Sequence, residues 1–335
     1  MSKRLVSNVQ DKAELNEEIN LRPKYLSEYV GQKALKHNLN VFISAAKARG
    51  EALDHVLLFG PPGLGKTTLA HIIANEMDAA IKVINGPSVE KAGDLAAILT
   101  ILEPGNILFI DEIHRLPRVV EEVLYSAMED YKLQVMINID GNVKNLEVDL
   151  PPFTLVGATT RAGDLTSPLR ARFGISEKID YYEEADILNI IKRTSRVFSL
   201  PISEEAALEI AKRSRRTPRI ANRLFRRIRD FATFNKQDII EHELCLEALT
   251  HLRVDPLGLD DVDLAYLTTL VDRFKGGPVG LETLANAIGE ELTNLEDVYE
   301  PYLLQIGMID KTTRGRVATE LCYKHLQKPR QMTFF

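Results

Sequence analysis

The most informative segment of the chain is Gly60-Pro61-Pro62-Gly63-Leu64-Gly65-Lys66-Thr67. It fits the phosphate-binding pattern of a glycine, four residues and then Gly-Lys-Thr. The apolar run 55–59 before it is typical of a buried strand, and residues 68–74 after it carry apolar side chains at helical spacing. The loop is therefore predicted at a strand-to-helix turn, where glycines let backbone N–H groups approach phosphate oxygens. There Lys66 would reach the terminal phosphates, and the Thr67 hydroxyl would bind Mg²⁺.

A second apolar run, residues 107–110, ends in Asp111 and Glu112. A buried strand would deliver these acids to its carboxyl end, where open α/β sheets bind their ligands. We expect Asp111 to hold Mg²⁺ through water and Glu112 to polarise the attacking water. Alone, such a run is often only the end of a strand. Paired with the upstream loop, it predicts a nucleotide hydrolysis site.

The composition is that of a globular chain long enough for two or three domains. Its 335 residues are 45% hydrophobic and 27% charged, with a formal net charge of -6. No apolar run approaches the roughly 20 residues of a membrane helix, and the N-terminus lacks the apolar core of a secretory signal. Cys245 and Cys322 stand alone on apolar stretches, which predicts buried thiols of a cytoplasmic protein rather than a disulfide or a zinc site.

Basic residues are concentrated in two places. Residues 212–229 hold nine basic side chains and no acidic one, and residues 311–330 hold six basic side chains against Glu320 alone. On an acidic chain, such clusters indicate anionic partners at defined places.

Strands alternate with helices through residues 55–180, which predicts an α/β phosphate-loop core with a mostly parallel, doubly wound sheet. A third buried strand, residues 153–160, ends in hydroxyl groups. Residues 132–148 predict a hairpin that turns at Asp140-Gly141. Its apolar face, Val135, Ile137 and Ile139, is either an ordinary sheet edge or a binding surface for a partner, and the sequence leaves both readings open.

From residue 183 the pattern is helical, with helices predicted at 186–198, 204–213, 218–235 and 238–252. After a linker at 255–258, helices at 261–274, 281–287 and 294–304 precede two short strands, 308–310 and 316–318, around a basic turn. Three helices followed by such a hairpin predict a winged helix-turn-helix. The expected domains are 1–182, an ATPase domain; 183–255, a small helical lid; and 256–335, a winged helix that binds DNA.

The chain resembles the RuvB family, the AAA+ motors of bacteria that drive branch migration of Holliday junctions. The resemblance rests on the phosphate loop and on five further stretches: residues 110–114, 157–163, 167–174, 276–281 and 296–303. It covers roughly residues 18 to 326 and includes stretches outside the nucleotide site. It implies ATP and Mg²⁺ as cofactors and a cytoplasmic homohexamer on duplex DNA in recombination, repair and the SOS response. It also implies a RuvA-type partner docked by hairpin 132–148 and a RuvC-type resolvase in a larger complex.

The resemblance also implies roles for single residues. Lys66, Asp111, Glu112, Thr160, Arg172 and Arg219 would act in catalysis, with Thr160 as the γ-phosphate sensor and Arg219 as the second sensor on the lid. Arg172 would be an arginine finger that acts on the neighbouring subunit. The residues expected to bind the nucleotide are Leu21, Arg22, Gly63, Gly65, Lys66, Thr67, Thr68, Glu129, Asp130, Tyr131, Arg172, Tyr182 and Arg219. Lys311, Arg314 and Arg316 would contact DNA from the wing.

The chain departs from the family pattern at three places. Arg216 stands where the family usually has glycine, Lys311 stands where the wing usually begins with arginine, and the hairpin tip 138–145 is less basic. Two other functions share the nucleotide residues: a clamp-loader-type switch and a small-molecule phosphotransferase. The winged helix after the lid favours the DNA motor over the switch, because clamp-loader subunits carry a helical collar there. The phosphotransferase is disfavoured because the sequence shows no pattern for a pocket that would bind a phosphate acceptor.

Overall fold

The computed structural model of the protein describes residues 21–139 and 142–329, with side chains described throughout except at 135–146. The described residues divide into two compact units. One is Arg22–Tyr181, and the other contains Leu21 and the described residues from Tyr182 onward. In the described residues, no helix is long and apolar enough to cross a membrane.

The first unit is built on a five-stranded parallel sheet with the strand order β2-β3-β6-β1-β7. Its strands are β1 Val56–Phe59, β2 Ile81–Asn85, β3 Ile107–Asp111, β6 Thr154–Thr159 and β7 Ile175–Lys178. The middle strands β1, β3 and β6 are buried almost throughout, as expected for a sheet covered on both faces. The predicted sheet is confirmed, and it places β6 between the strand before the phosphate loop and the strand that ends in Asp111.

Strand β7 was not predicted as a separate element. It has only four residues, and its Ser176 and Lys178 are exposed. It pairs with β1 alone, at the edge of the sheet. A short edge strand with polar alternate positions lacks the continuous apolar run that marks a buried strand.

Helices cover the sheet and a large apolar core. They are α1 Lys33–Arg49, α2 Lys66–Glu76, α3 Ala92–Leu99, α4 Arg118–Glu129 and α5 Ser167–Ala171. Part of this core joins Leu108 and Ile110 of β3 with Leu124 of α4 and Phe173 after α5. Burial of these side chains fixes the carboxyl ends of the strands, which is where the candidate site lies.

The predicted hairpin is present in its backbone. Strands β4 Lys132–Ile139 and β5 Asn142–Asp149 pair in antiparallel register from Lys132↔Asp149 to Ile139↔Asn142. The predicted turn at Asp140-Gly141 lies outside the described residues, and so do the side chains of its proposed apolar face.

The second unit begins with the four lid helices α6 Glu184–Val197, α7 Glu204–Arg213, α8 Pro218–Phe234 and α9 His242–His251. Apolar faces of α6, α7 and α8 are buried against each other, and the rings of Phe198 and Phe225 stack at 6.0 Å. Cys245 on α9 is buried, as predicted. Burial raises the pKa of its thiol to about 12.

The winged helix follows in the same unit. Its elements are α10 Asp261–Asp272, α11 Leu281–Ile288, α12 Leu292–Asn294, α13 Glu300–Gln305, strands β8 Ile309–Thr312 and β9 Gly315–Ala318, and α14 Glu320–His325. The single helix predicted at 294–304 is interrupted by a π-helical turn, Leu295–Tyr299. Pro301 follows that turn and has no N–H to donate, which explains why regular α-helical bonding breaks there. Helix α14 was not predicted, and Thr319 caps it by accepting a hydrogen bond from Cys322 N at 3.4 Å.

Candidate functional site

The phosphate loop joins β1 to α2, as predicted, and α2 begins at Lys66 itself. Gly63 and Gly65 have φ angles of 79° and 101°, a region that favours glycine. The Lys66 side chain is buried, and its Nζ donates hydrogen bonds to the carbonyl oxygens of Gly60 at 2.8 Å and Pro61 at 2.9 Å. The loop therefore holds an ammonium group against its own backbone, in the concave turn where a phosphate would bind.

Thr67 and Asp111 meet although 44 residues separate them in the chain. The Thr67 hydroxyl donates to Asp111 Oδ2 at 3.1 Å, because the start of α2 and the end of β3 lie at the same edge of the sheet. The second carboxylate oxygen, Oδ1, accepts a hydrogen bond from the backbone N–H of Glu112 at 3.0 Å. A hydroxyl and a carboxylate are oxygen ligands of the kind that Mg²⁺ prefers.

Glu112 has an unusual backbone conformation that the sequence did not indicate. Its φ angle is 49°, in the left-handed region, which costs free energy for any residue except glycine. Its carbonyl oxygen passes over Gly86, where an added Cβ would lie 2.4 Å from that oxygen. Gly86 follows β2, the neighbour of β3 in the sheet. The end of β2 therefore helps to set the direction in which Glu112 points.

The Glu112 side chain lies among polar groups from its own turn and from the end of β6. Its Oε2 accepts a hydrogen bond from the Thr160 hydroxyl at 3.4 Å and is 3.3 Å from His114 Nδ1. His114 Nδ1 is also 2.9 Å from the Thr159 hydroxyl. Burial is the main cause that lowers the pKa of His114, and Glu112 opposes it. We call Lys66, Thr67, Asp111, Glu112 and Thr160 the strand-end site.

A second group of predicted residues lies where α4 and α5 end. Arg172 follows α5, and its Nη2 is 2.5 Å from Oε2 of Glu129, the last residue of α4. Asp130 and Tyr131 continue from Glu129, and the Tyr131 ring packs edge-on against Phe153 at 5.8 Å. The structure thus brings Arg172 together with the 129–131 segment, as two parts of one predicted nucleotide-binding set.

The remaining predicted nucleotide residues are divided between the two units. Arg22 belongs to the first unit and lies near His71 of α2, whose pKa is lowered by burial and by the Arg22 charge. Leu21, Tyr182 and Arg219 belong to the second unit. There the Leu21 carbonyl accepts from Arg193 Nη1 at 2.6 Å, and Arg219 lies in the first turn of α8.

The wing presents two of its three predicted DNA-binding residues to solvent. Lys311 and Arg314 are exposed, whereas Arg316 is paired across the hairpin with Lys311 and turned toward Glu300. Its Nε and Nη2 donate to the two Glu300 carboxylate oxygens at 2.7 and 2.9 Å. The buried Glu300 also accepts from the Tyr266 hydroxyl at 2.6 Å. Arg316 therefore anchors the wing to the helices that carry it.

Part of the basic run 212–229 is used inside the protein, so the anionic partner that its composition indicated is not needed to explain every charge. Several of its guanidinium groups bind other parts of the chain: Arg213 pairs with Glu209, Arg215 with Asp263, Arg216 with Glu183 and Arg227 with Asp230, and Arg229 lies over the Phe198 ring. A count of charges could not show this, because the acidic partners lie outside the run or at its edge.

Comparison with known proteins gives one consistent result along the chain. Three domain families match in succession: the Holliday junction DNA helicase RuvB P-loop domain at residues 21–179, the RuvB AAA lid domain at 182–255 and the RuvB C-terminal winged helix domain at 256–327. Among solved structures, the chain is similar to the Thermotoga maritima RuvB Holliday junction branch migration motor, with 52% sequence identity and a TM-score of 0.85 over 92% of this chain and 99% of that one. Two mutants of Thermotoga maritima RuvB match with 51% and 52% identity and TM-scores of 0.85 and 0.84, over 92% of this chain and 99% and 98% of theirs.

Proposed function

The chain belongs to the RuvB family of Holliday junction DNA helicases, and on that premise we propose how its residues divide the work. As a member of this family it is a nucleotide-binding ATP hydrolase and a motor of Holliday junction branch migration. The observation that carries the assignment of roles is the meeting of Thr67 with Asp111 at 3.1 Å beside the phosphate loop.

At the strand-end site, Lys66 would exchange its two loop carbonyls for phosphate oxygens of ATP. Thr67 and Asp111 would hold Mg²⁺, which would supply positive charge at the phosphates when bound. Gly63, Gly65 and Thr68 would contribute the surrounding loop and the first turn of α2.

Glu112 is proposed to orient and polarise the attacking water, because its carboxylate lies next to Asp111 and is half exposed. Thr160 would report the presence of the γ-phosphate to Glu112. The hydrogen bond between their side chains is long, at 3.4 Å, and therefore weak. The Thr160 hydroxyl could exchange it for a hydrogen bond to a phosphate oxygen.

Arg172 is proposed to act on ATP bound by a neighbouring subunit of a homohexamer. The support is its pairing with Glu129 at the ends of α4 and α5, while Lys66 supplies positive charge within the chain's own phosphate loop. Glu129, Asp130 and Tyr131 would line the same nucleotide from the neighbour's side. Leu21, Arg22, Tyr182 and Arg219 would contact the nucleotide bound by their own chain, with Arg219 sensing it from the lid.

We also propose the contacts of the motor with its partners. Lys311 and Arg314 would contact duplex DNA phosphates, with Arg316 supporting the wing and adding its charge nearby. Hairpin 132–148 would dock a RuvA-type protein, and a RuvC-type resolvase would join a larger, cytoplasmic complex. The division of the chain into 1–182, 183–255 and 256–335 is part of this proposal.

The test is electron microscopy of the full chain with a slowly hydrolysed ATP analogue, Mg²⁺ and a duplex that ends in a Holliday junction. We expect six-membered rings that surround the duplex, with Arg172 of each subunit facing the nucleotide of the next. A monomer or an open assembly on the same DNA would contradict the proposed ring. A ring in which Arg172 faces its own chain's nucleotide would contradict the trans assignment.

A further inference from the structure

Residues 213–217 comprise the last residue of α7 and the turn to α8; they end two residues before Arg219 and have a strained backbone. Arg215 and Arg216 have φ angles of 53° and 55°, which glycine adopts easily and arginine does not. Two such residues in succession persist only where the surrounding contacts fix them. Each arginine side chain makes such contacts: Arg215 contacts the winged helix, and Arg216 contacts residues 182–183.

Arg215 binds the winged helix. Its side chain is 2% exposed, its Nε donates to the Gly258 carbonyl at 2.8 Å, and its guanidinium lies against the carboxylate of Asp263 on α10. The guanidinium carbon is also 5.0 Å from the centre of the Tyr302 ring. Lid and winged helix are therefore joined by an ion pair that water does not reach.

The Asp263 carboxylate is itself fully buried and held by its own helix start. It accepts a hydrogen bond from the Asp260 N–H at 2.8 Å, while the Asp263 N–H donates to Asp260 Oδ1 at 3.2 Å. Burial raises the pKa of Asp263, and the Arg215 charge opposes that shift. A buried pair of this kind cannot separate without leaving a charge uncompensated, so it resists any hinge motion between its two elements.

The linker between lid and winged helix is held on the same turn. Arg213 Nη1 donates to the Val254 carbonyl at 2.8 Å, and the Tyr302 hydroxyl donates to the Leu257 carbonyl at 2.6 Å. Gly258 passes so close to the turn that a Cβ there would lie 2.4 Å from the Arg213 carbonyl oxygen. We call residues 213–217, the linker 254–260 and the start of α10 the lid junction.

Arg216 binds the other end of the lid. Its Nε donates to the Tyr182 carbonyl at 2.8 Å, its own carbonyl accepts from the Tyr182 N–H at 3.0 Å, and its Nη2 pairs with Glu183 at 2.7 Å. Tyr182 is proposed to contact the nucleotide, and Arg219 lies in the first turn of α8, directly after Pro218. The lid junction therefore connects two proposed nucleotide contacts, Tyr182 and Arg219, to the domain that carries the wing.

We propose that Arg215 and Asp263 are positioning residues that couple ATP hydrolysis to DNA movement by making the lid and the winged helix one rigid body. A displacement of Arg219 or Tyr182 caused by the nucleotide then moves the wing by the same rotation, because the linker cannot absorb it. This inference rests on the proposed function, in which Arg219 and Tyr182 contact ATP and the wing contacts DNA. Neither Arg215 nor Asp263 touches nucleotide or DNA in this arrangement.

The test replaces the buried pair by apolar side chains, Arg215→Met with Asp263→Leu, because such replacements of buried ion pairs often preserve folding. The matched control is Arg253→Met with Asp261→Leu. That pair also joins the end of the lid to α10, at 3.2 Å, but its side chains are 74% and 64% exposed, and exposed pairs contribute little. Measured quantities are the basal ATPase rate, DNA affinity, and base pairs migrated for each ATP hydrolysed.

We expect the buried-pair variant to keep its basal ATPase rate and its DNA affinity. Migration for each ATP should fall at least about fivefold, the lower end of typical coupling between sites. The control should match the parental protein in all three. A folded buried-pair variant with parental coupling would overturn the inference. A parental protein whose ATPase and migration do not depend on Lys66 would instead overturn the proposed function.

A distance measurement covers the case in which the buried-pair variant does not fold. Spin labels introduced by Thr233→Cys on α8 and Thr283→Cys on α11, both exposed positions, report the lid-to-winged-helix distance in the otherwise parental chain. We expect one narrow distance distribution that is the same with ADP, with a slowly hydrolysed ATP analogue and without nucleotide. A broad distribution, or one that shifts with the nucleotide, would show a hinge at the lid junction and overturn the inference.

Discussion

At the strand-end site, Thr67 and Asp111 share one hydrogen bond of 3.1 Å, and Thr160 reaches Glu112 at 3.4 Å from half-exposed positions. At the lid junction, the guanidinium of Arg215 is 2% exposed and lies between a carboxylate, a carbonyl and an aromatic ring. Both places combine a basic side chain with carboxylates. The contacts differ, because the first set leaves polar atoms available for a ligand and the second satisfies them inside the protein. The difference shows that a run of charges indicates a ligand site only where the fold leaves those charges without sufficient internal partners.

The largest effect is expected at Arg172, whose partner Glu129 offers one exposed contact of 2.5 Å. Such a pair is weak, so the guanidinium is available to a neighbouring subunit. Arg172→Ala should lower ATP turnover by about 10³-fold or more while sparing nucleotide binding, because an arginine finger acts on the transition-state charge.

Mixing distinguishes a finger that acts across subunits from one that acts within a chain. Arg172→Ala subunits combined with Lys66→Ala subunits, each inactive alone, should regain part of the ATPase activity. Mixed rings contain interfaces in which an intact Lys66 site meets an intact Arg172. If the mixture co-assembles in gel filtration but stays as inactive as its parents, Arg172 does not act on a neighbouring subunit.

Glu112→Gln should have the next largest effect. The change keeps the shape of the side chain but removes the charge that we propose polarises water, so turnover should fall about 10²- to 10⁴-fold. ATP binding, measured by fluorescence titration with an ATP analogue, should stay near the parental value. Parental hydrolysis by the folded variant would show that Glu112 is not the residue that polarises water.

Motif spacing predicts the strand-end site but not the lid junction. The loop 60–67, Asp111 and the end of β6 could be predicted, because motif spacing fixes residue types at strand ends and the parallel sheet brings those ends together. The role of Gly86 under the Glu112 carbonyl could not, because no local pattern marks a contact between two distant turns. The sequence could not predict the burial of Arg215 either, because its partner Asp263 lies in another domain of the chain.

Pro301 gives an intermediate case. A proline inside a helical pattern predicts a local break, yet the sequence reasoning treated 294–304 as one helix. The structure places a π-helical turn directly before Glu300 and Pro301. The residue after this turn, Glu300, is the one that binds Arg316 of the wing.

A smaller effect should follow from Gly86→Ala, which tests how the fold orients a residue of the strand-end site. The added Cβ would lie 2.4 Å from the Glu112 carbonyl oxygen, so the turn after β3 must shift. A misplacement of about 1 Å can cost on the order of 10²-fold in rate, and we expect a loss between tenfold and that value in turnover with ATP affinity nearly preserved. Gly93→Ala on α3 is the matched control, because nothing lies within 4 Å of its added Cβ. Equal ATP turnover rates for the two variants would show that Gly86 does not determine the orientation of Glu112.

The smallest effects are expected at the wing. There, internally paired and exposed basic residues lie within one cluster, residues 311–330. Lys328 pairs with Asp272 and Lys324 with Glu320, whereas Lys311 and Arg314 are exposed at the tip of the hairpin. Lys311→Ala and Arg314→Ala should each weaken duplex binding severalfold for all sequences and reduce the slope of log affinity against log salt by about one. Fluorescence anisotropy at several salt concentrations measures both quantities, with Lys324→Ala as the control. Lys324 belongs to the same basic cluster but lies on α14, outside the hairpin, where it faces Glu320 at 2.8 Å. If Lys324→Ala changed the slope as much as Lys311→Ala, the hairpin tip would not be the part of the wing that meets DNA.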